Sequence, residues 1–81
     1  MDTSYAEVGT EVVMCFHRPE RYVQEVQKYV CKKTVITEVV NEPPAVCHVK
    51  IDGGFYWWPI DDMILASDID LLTPVQRERI R

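Results

Sequence analysis

The stretch KIDGGFYWWPIDDM, residues 50–63, decides how this chain is read. A glycine pair separates an alternating apolar–polar run from four consecutive aromatics, and a proline then leads into two aspartates. Glycine reaches positive φ without steric cost, so Asp52-Gly53-Gly54 is a strong hairpin signal. Upstream, residues 46–51 alternate cleanly: Cys47, Val49 and Ile51 share one face, and Val46, His48 and Lys50 the other. A two-residue loop, Asp52-Gly53 or Gly53-Gly54, makes cross-strand positions sum to an odd number, so Val49 faces Tyr56 or Trp58. Tyr56 and Trp58 then join Cys47, Val49 and Ile51 in the core, while Phe55 and Trp57 lie on the outer face beside His48 and Lys50. A three-residue loop would reverse this, because a one-residue slip flips every side chain. The clean alternation of residues 46–51 favours the two-residue loop.

Working outward, residues 10–16 are β-branched and aromatic, follow Gly9 and read as a strand. In RPERYVQEVQKYV the period changes. Tyr22, Val23, Val26, Tyr29 and Val30 recur at three- and four-residue steps behind Pro19, which predicts a helix over residues 19–30. KTVITEVV resumes a strand, with Val35, Thr37 and Val39 on one face and Ile36, Glu38 and Val40 on the other. NEPPA is a connector, since prolines donate nothing to a ladder. PIDDM reads as a tight or 3₁₀ turn and ILA as a short closing strand.

The chain divides into a domain over residues 1–67 and a tail over 68–81. In the tail, Thr73-Pro74-Val75-Gln76 fits a capping box with proline at the first helical position, and Arg77, Arg79 and Arg81 lie toward the negative helix end. So short a helix is unstable alone. Leu71, Leu72, Val75 and Ile80 are therefore expected to dock on the domain, a second copy or a partner, and otherwise the tail frays.

The chain has 81 residues, 47% apolar and 27% charged, which suits one small folded domain. A domain of this size buries roughly 60–65% of its unfolded surface. The net charge of −4 argues against a dedicated DNA-binding protein, whose affinity comes mostly from neutralised phosphates. Bases do gather over residues 18–33, where Arg18, Arg21, Lys28, Lys32 and Lys33 outnumber Glu20 and Glu25. No apolar run approaches the ~20 residues of a membrane span, and MDTSYAEVG lacks a signal pattern, so the cytoplasm of the producing or host cell is expected. Three cysteines fit a reducing compartment better than a disulfide framework.

The order VGTEVV, KTVITEVV, HVKIDGGFYWWPIDDMI resembles small SH3-like β-barrels, in particular the short uncharacterised SH3-like proteins of bacteriophages and their bacterial hosts. Those share a G-x-x-V strand, a G-K-T-V-x-I-x-x-V strand, then D-G-G, an aromatic triplet, acidic residues and Met. The resemblance spans residues 8–65, and its most specific parts are Lys33-Thr34-Val35, Asp52-Gly53-Gly54, Trp58 and Asp62-Met63. It departs at Lys32, where glycine is usual, and at Pro59-Ile60, which lengthens the aromatic-to-acidic spacing by one residue. It implies a mainly β, five-stranded, strongly bent barrel, here with one helix inserted after the first strand and a short C-terminal helix. It brings no catalytic residues, and fold alone does not carry function.

Metal and catalytic chemistry find little support in the spacing. Cys15, His17, Cys31, Cys47 and His48 include ligand types but no C-x₂₋₄-C knuckle, and Cys47 and His48 point to opposite faces. Buried free cysteines are ordinarily small core hydrophobes. No pattern fixes a general base beside a nucleophile. Asp61, Asp62, Asp68 and Asp70 lack the spacing of a calcium loop. No metal, cofactor or enzymatic activity is expected.

The expected function is protein binding through Phe55, Trp57, His48 and Lys50, with Tyr22 and Tyr29 from the inserted helix, since aromatic anchors dominate interfaces. The phage-like resemblance implies a small regulator directed at a host or defence protein. Two alternatives remain open. One is nucleic-acid binding by a basic edge of Arg21, Lys32, Lys33 and Lys50 with stacking on Trp57. The other is assembly through residues 68–81.

Overall fold

A computed structural model describes residues 7–80; the N-terminal residues 1–6 and Arg81, and the expectations placed on them, lie outside that range. The chain forms one open antiparallel sheet of five strands: β1 (Glu11–Val13), β2 (Lys33–Val40), β3 (Val46–Val49), β4 (Trp58–Pro59) and β5 (Ile64–Leu65). Their spatial order is β4-β3-β2-β1-β5, which leaves β4 and β5 at the two edges. Mainly β architecture and the order of five strands follow the sequence reading, but two strands are shorter than expected: β1 ends at Val13 rather than Phe16, with Cys15 at positive φ, and of FYWW only Trp58 is paired. Barrel closure is absent from the pairing of the described strands.

Strand β2 serves both halves of the sheet. Its first residues pair with β1, Val35 opposite Glu11 and Lys33 opposite Val13, and its later ones with β3, Ile36 opposite Val49 and Val40 opposite Val46. Between Ile36 and Glu38 the register shifts, because Thr37 is an extra residue with no partner on β3. Such a bulge bends a strand and turns its side chains over. Thr34 and Ile36 accordingly face the core before it, and Val39 packs on the core after it. This corrects the uniform alternation expected for KTVITEVV.

The predicted helix over residues 19–30 is instead two 3₁₀ helices, Pro19–Arg21 and Gln24–Tyr29, split by extended backbone at Tyr22 and Val23. The Gln27 side-chain amide donates to the carbonyls of Pro19 (3.1 Å) and Tyr22 (2.8 Å), which bridges the break. Four of the five periodic apolar residues still point inward: Val26 and Val30 are buried, and Tyr22 and Tyr29 pack on the core from the outside, whereas Val23, at the break, is 67% exposed. Periodicity thus identified the inward face but not the helix type. Tertiary anchoring of Tyr22 overrides a continuous α-helical path.

The core gathers Val12, Met14, Val26, Val30, Ile36, Cys47, Val49, Trp58, Ile60 and Met63. Val13, on the opposite face of β1, is equally buried, and the 3₁₀ helix Ala66–Leu71 packs against β1. The tail ends in one α-helical turn, α1 (Pro74–Arg77), with the predicted capping box: Gln76 N–H donates to Thr73 Oγ1 at 3.2 Å and Thr73 N–H to Gln76 Oε1 at 2.9 Å. The Arg79 guanidinium lies 5.7 Å from the Phe16 ring centre. Docking is partial. Leu72 and Ile80 are half-buried, but Leu71 and Val75 stay 81% and 70% exposed. No helix among the described residues is long and apolar enough to cross a membrane.

Candidate partner-binding surface

The aromatic stretch does not form the tight hairpin predicted for it. Cys47 lies opposite Trp58 and Val46 opposite Pro59, the register of an Asp52-Gly53 turn, but the ladder stops there. Residues 50–57 open into a wider loop, with Gly53 and Gly54 both in the left-handed region at φ 70° and 75°. The competitor is Asp52. Its Oδ1 accepts from Gly54 N–H at 3.0 Å, and its Oδ2 accepts from Tyr56 N–H at 2.9 Å and from Trp58 Nε1–H at 3.0 Å. A carboxylate with several acceptor sites satisfies all three donors at once, so Tyr56 does not need the ladder.

The parity assignment survives for the tryptophans. Trp58 is 3% exposed, whereas Phe55 and Trp57 are 76% and 47% exposed. It fails at two other positions. Ile51, assigned to the core, is exposed because the chain leaves the strand after Val49, and Tyr56 sits at the rim for the same reason.

Two groups of rings result. His48 stacks on Trp57 with ring centres 3.5 Å apart, and its Nδ1–H donates to the Tyr56 carbonyl at 2.8 Å. A carbonyl only accepts, so Nδ1 carries the proton. His48 Nε2 faces Glu38 Oε2 at 3.9 Å, a juxtaposition made by the bulge at Thr37. The second group is built on Trp58. Tyr22, Tyr29 and Tyr56 pack around it at 5.9, 6.0 and 5.5 Å, and Phe55 meets Tyr56 edge-on at 4.7 Å. Lys28 lies over Tyr29 at 5.2 Å. Tyr22 and Tyr29, expected beside Phe55 and Trp57, therefore reach them through Trp58 and Tyr56.

Beneath this surface lies a polar hub that the motifs did not reveal. The Asp62 carboxylate has no exposed side-chain surface and accepts from Arg18 Nε and Nη2, both at 2.9 Å, from Tyr22 Oη at 2.7 Å and from Arg21 Nη1 at 3.4 Å. Burial pushes its acidity toward the neutral form, but the Tyr22 hydroxyl and then Arg18 and Arg21 overcome this and hold the carboxyl below its ordinary range. Burial, and after it the Asp62 carboxylate, raises the Tyr22 hydroxyl well above its usual value. Its sequence signals were the Asp61-Asp62 pair, which reads equally well as surface acidity or turn capping, and the Asp62-Met63 part of the resemblance; Asp62 itself is fully buried.

The bases of the alternative edge have separate surroundings. Arg21 is engaged by Asp62, Lys33 pairs opposite Val13 and lines a shallow depression of about 480 Å³ with Glu11 and Leu65, and Lys50 follows β3 in the loop. Lys32 is half-buried, with its carbonyl accepting from Met14 N–H. Cys15 and Cys47 are buried thiols, each pushed up to about 12 chiefly by burial. Among the described residues no three His, Cys, Asp or Glu side chains converge as a metal ligand set. Compared with family models, curated proteins and solved structures, the chain matches none.

Proposed function

We propose that this chain is a non-enzymatic protein-binding module of the SH3-like barrel type. The observation that carries the reading is the exposure of Phe55 and Trp57 on a loop braced from within, with the half-buried Tyr22 and Tyr29 joined to it through Trp58 and Tyr56. Large aromatics left in water at a braced position favour a partner's side chains over solvent. His48 and Lys50 complete the contact surface. The strand order, the sharing of β2 between two halves of the sheet and the 3₁₀ turn before β5 support the barrel type. The partner is a protein segment in extended or proline-rich conformation, for which preformed aromatic surfaces are suited. The likeness to phage-type proteins supports a regulator acting on a host or defence protein in the cytoplasm. Titratable groups of altered acidity, Cys15, Cys47, Tyr22 and Asp62, are turned inward and engaged, which favours binding over catalysis.

A nuclease-treated pull-down from host lysate, comparing wild type with Trp57→Ala and Phe55→Ala, tests this. A protein captured by wild type and lost with both variants is expected. Recovery of nucleic acid alone, when nuclease is omitted, would overturn the proposal in favour of the edge of Arg21, Lys32, Lys33 and Lys50.

The exposure of Leu71 and Val75 favours a second reading, self-association through residues 68–81. Light scattering should then give a lower oligomer mass when that segment is deleted, and an unchanged mass counts against it.

A further inference from the structure

We propose that Asp52 is the positioning residue of the aromatic surface, acting with His48 as a two-sided clamp on the backbone of Tyr56. The Tyr56 N–H donates to Asp52 Oδ2 at 2.9 Å, and its carbonyl accepts from His48 Nδ1 at 2.8 Å. Both backbone polar groups of this residue are thus held by side chains, where a hairpin would have used ladder bonds. The same Asp52 oxygen takes Trp58 Nε1–H at 3.0 Å, which ties the loop to a ring sealed in the core. Its other oxygen closes the turn at Gly54. The Asp52 clamp holds the backbone between Phe55 and Trp57 from inside, while the His48 ring that holds it from outside also backs Trp57 at 3.5 Å. Strand pairing separates Trp58 from Trp57, and beyond the Cys47–Trp58 pair, where the ladder has ended, Asp52 and His48 set how Phe55 and Trp57 are presented.

The consequence for binding rests on reading Phe55 and Trp57 as the partner surface, but the clamp itself is testable on the free protein. The near-isosteric Asp52→Asn keeps one carbonyl oxygen, which retains the Gly54 turn, and places an NH₂ group against two donors, Tyr56 N–H and Trp58 Nε1–H. Amide and indole NMR spectra of wild type and D52N are the measurement. Expected are displaced Tyr56 amide and Trp58 indole N–H signals in D52N, and loss of the Phe55–Tyr56 ring contact in cross-relaxation spectra. The methyl signals of Val12, Ile36 and Val49 stay in place. Wild type alone supplies a second readout that needs no variant: the Tyr56 amide, on a solvent-exposed residue, exchanges with deuterium much more slowly than the Phe55 amide.

Unchanged Tyr56 and Trp58 signals in D52N, or an unprotected Tyr56 amide in wild type, overturn the clamp. So does a displacement spread evenly over the core, which makes Asp52 a general stability residue. A clamp verified in this way, together with partner capture indifferent to Trp57→Ala, sinks the binding surface and leaves the positioning role intact.

Discussion

The Tyr22 hydroxyl donates to the Asp62 carboxylate at 2.7 Å across 40 residues of sequence, and so fastens the β1–β2 connection to the turn before β5. The same tyrosine ring packs on Trp58, so one side chain couples the polar hub to the aromatic cluster. Tyr22→Phe keeps the ring and removes one donor, and should destabilise by about 1–2 kcal/mol. Asp62→Ala strands the Tyr22 hydroxyl as well. Because Arg18 and Arg21 are half exposed and regain water, its cost is about 2–4 kcal/mol rather than the full penalty of a dry ion pair. Urea unfolding of both variants checks the order; a larger loss in Y22F than in D62A would remove Asp62 as the hub.

Stability should fall in acid through Asp62. Its carboxyl is lowered on folding from 3.8, so its contribution is fully present above that value and is lost as pH falls through the lower folded one. Asp62→Asn should be less stable than wild type at neutral pH and should show a flatter decline below about pH 4. Chemical denaturation across pH 2–7 is the measurement, and parallel curves for the two proteins contradict the assignment.

The adjacent tryptophans should behave oppositely. Trp58→Ala opens a hole beneath three tyrosines and strips Asp52 of a donor, costing about 3–5 kcal/mol. Trp57→Ala loses a stack on His48 and should cost about 0.5–1.5 kcal/mol. Equal losses in thermal or urea unfolding would mean that Trp57 is sealed in the fold.

All three cysteines should resist alkylation in the native protein. They are buried, and Cys15 and Cys47 hold their protons to about 12, so almost no thiolate exists at pH 8. Modification by iodoacetamide should follow the small population of unfolded molecules and rise as denaturant increases it. Fast labelling of any one of them shows a local opening.

What the sequence by itself determined was set by neighbours along the chain. Alternation in residues 46–51 assigned Cys47 and Val49 inward and His48 outward, the Thr73–Gln76 spacing formed its capping box, and odd parity separated Trp58 from Trp57. These outcomes depend on one- to four-residue periods that any isolated stretch carries. The tertiary structure decided whatever needed a partner from far away. The bulge at Thr37 reversed the faces of β2 because one strand must pair in both halves of the sheet. The helix over residues 19–30 broke at Tyr22, whose hydroxyl is claimed by Asp62, and the hairpin widened where Asp52 outcompeted the ladder for Tyr56. In the last two cases a side chain offered the backbone, or a buried donor, a better partner than the local pattern did. A carboxylate at the centre of converging donors leaves no periodic trace in sequence, so Asp52 and Asp62 became legible only once the chain had brought those donors to them.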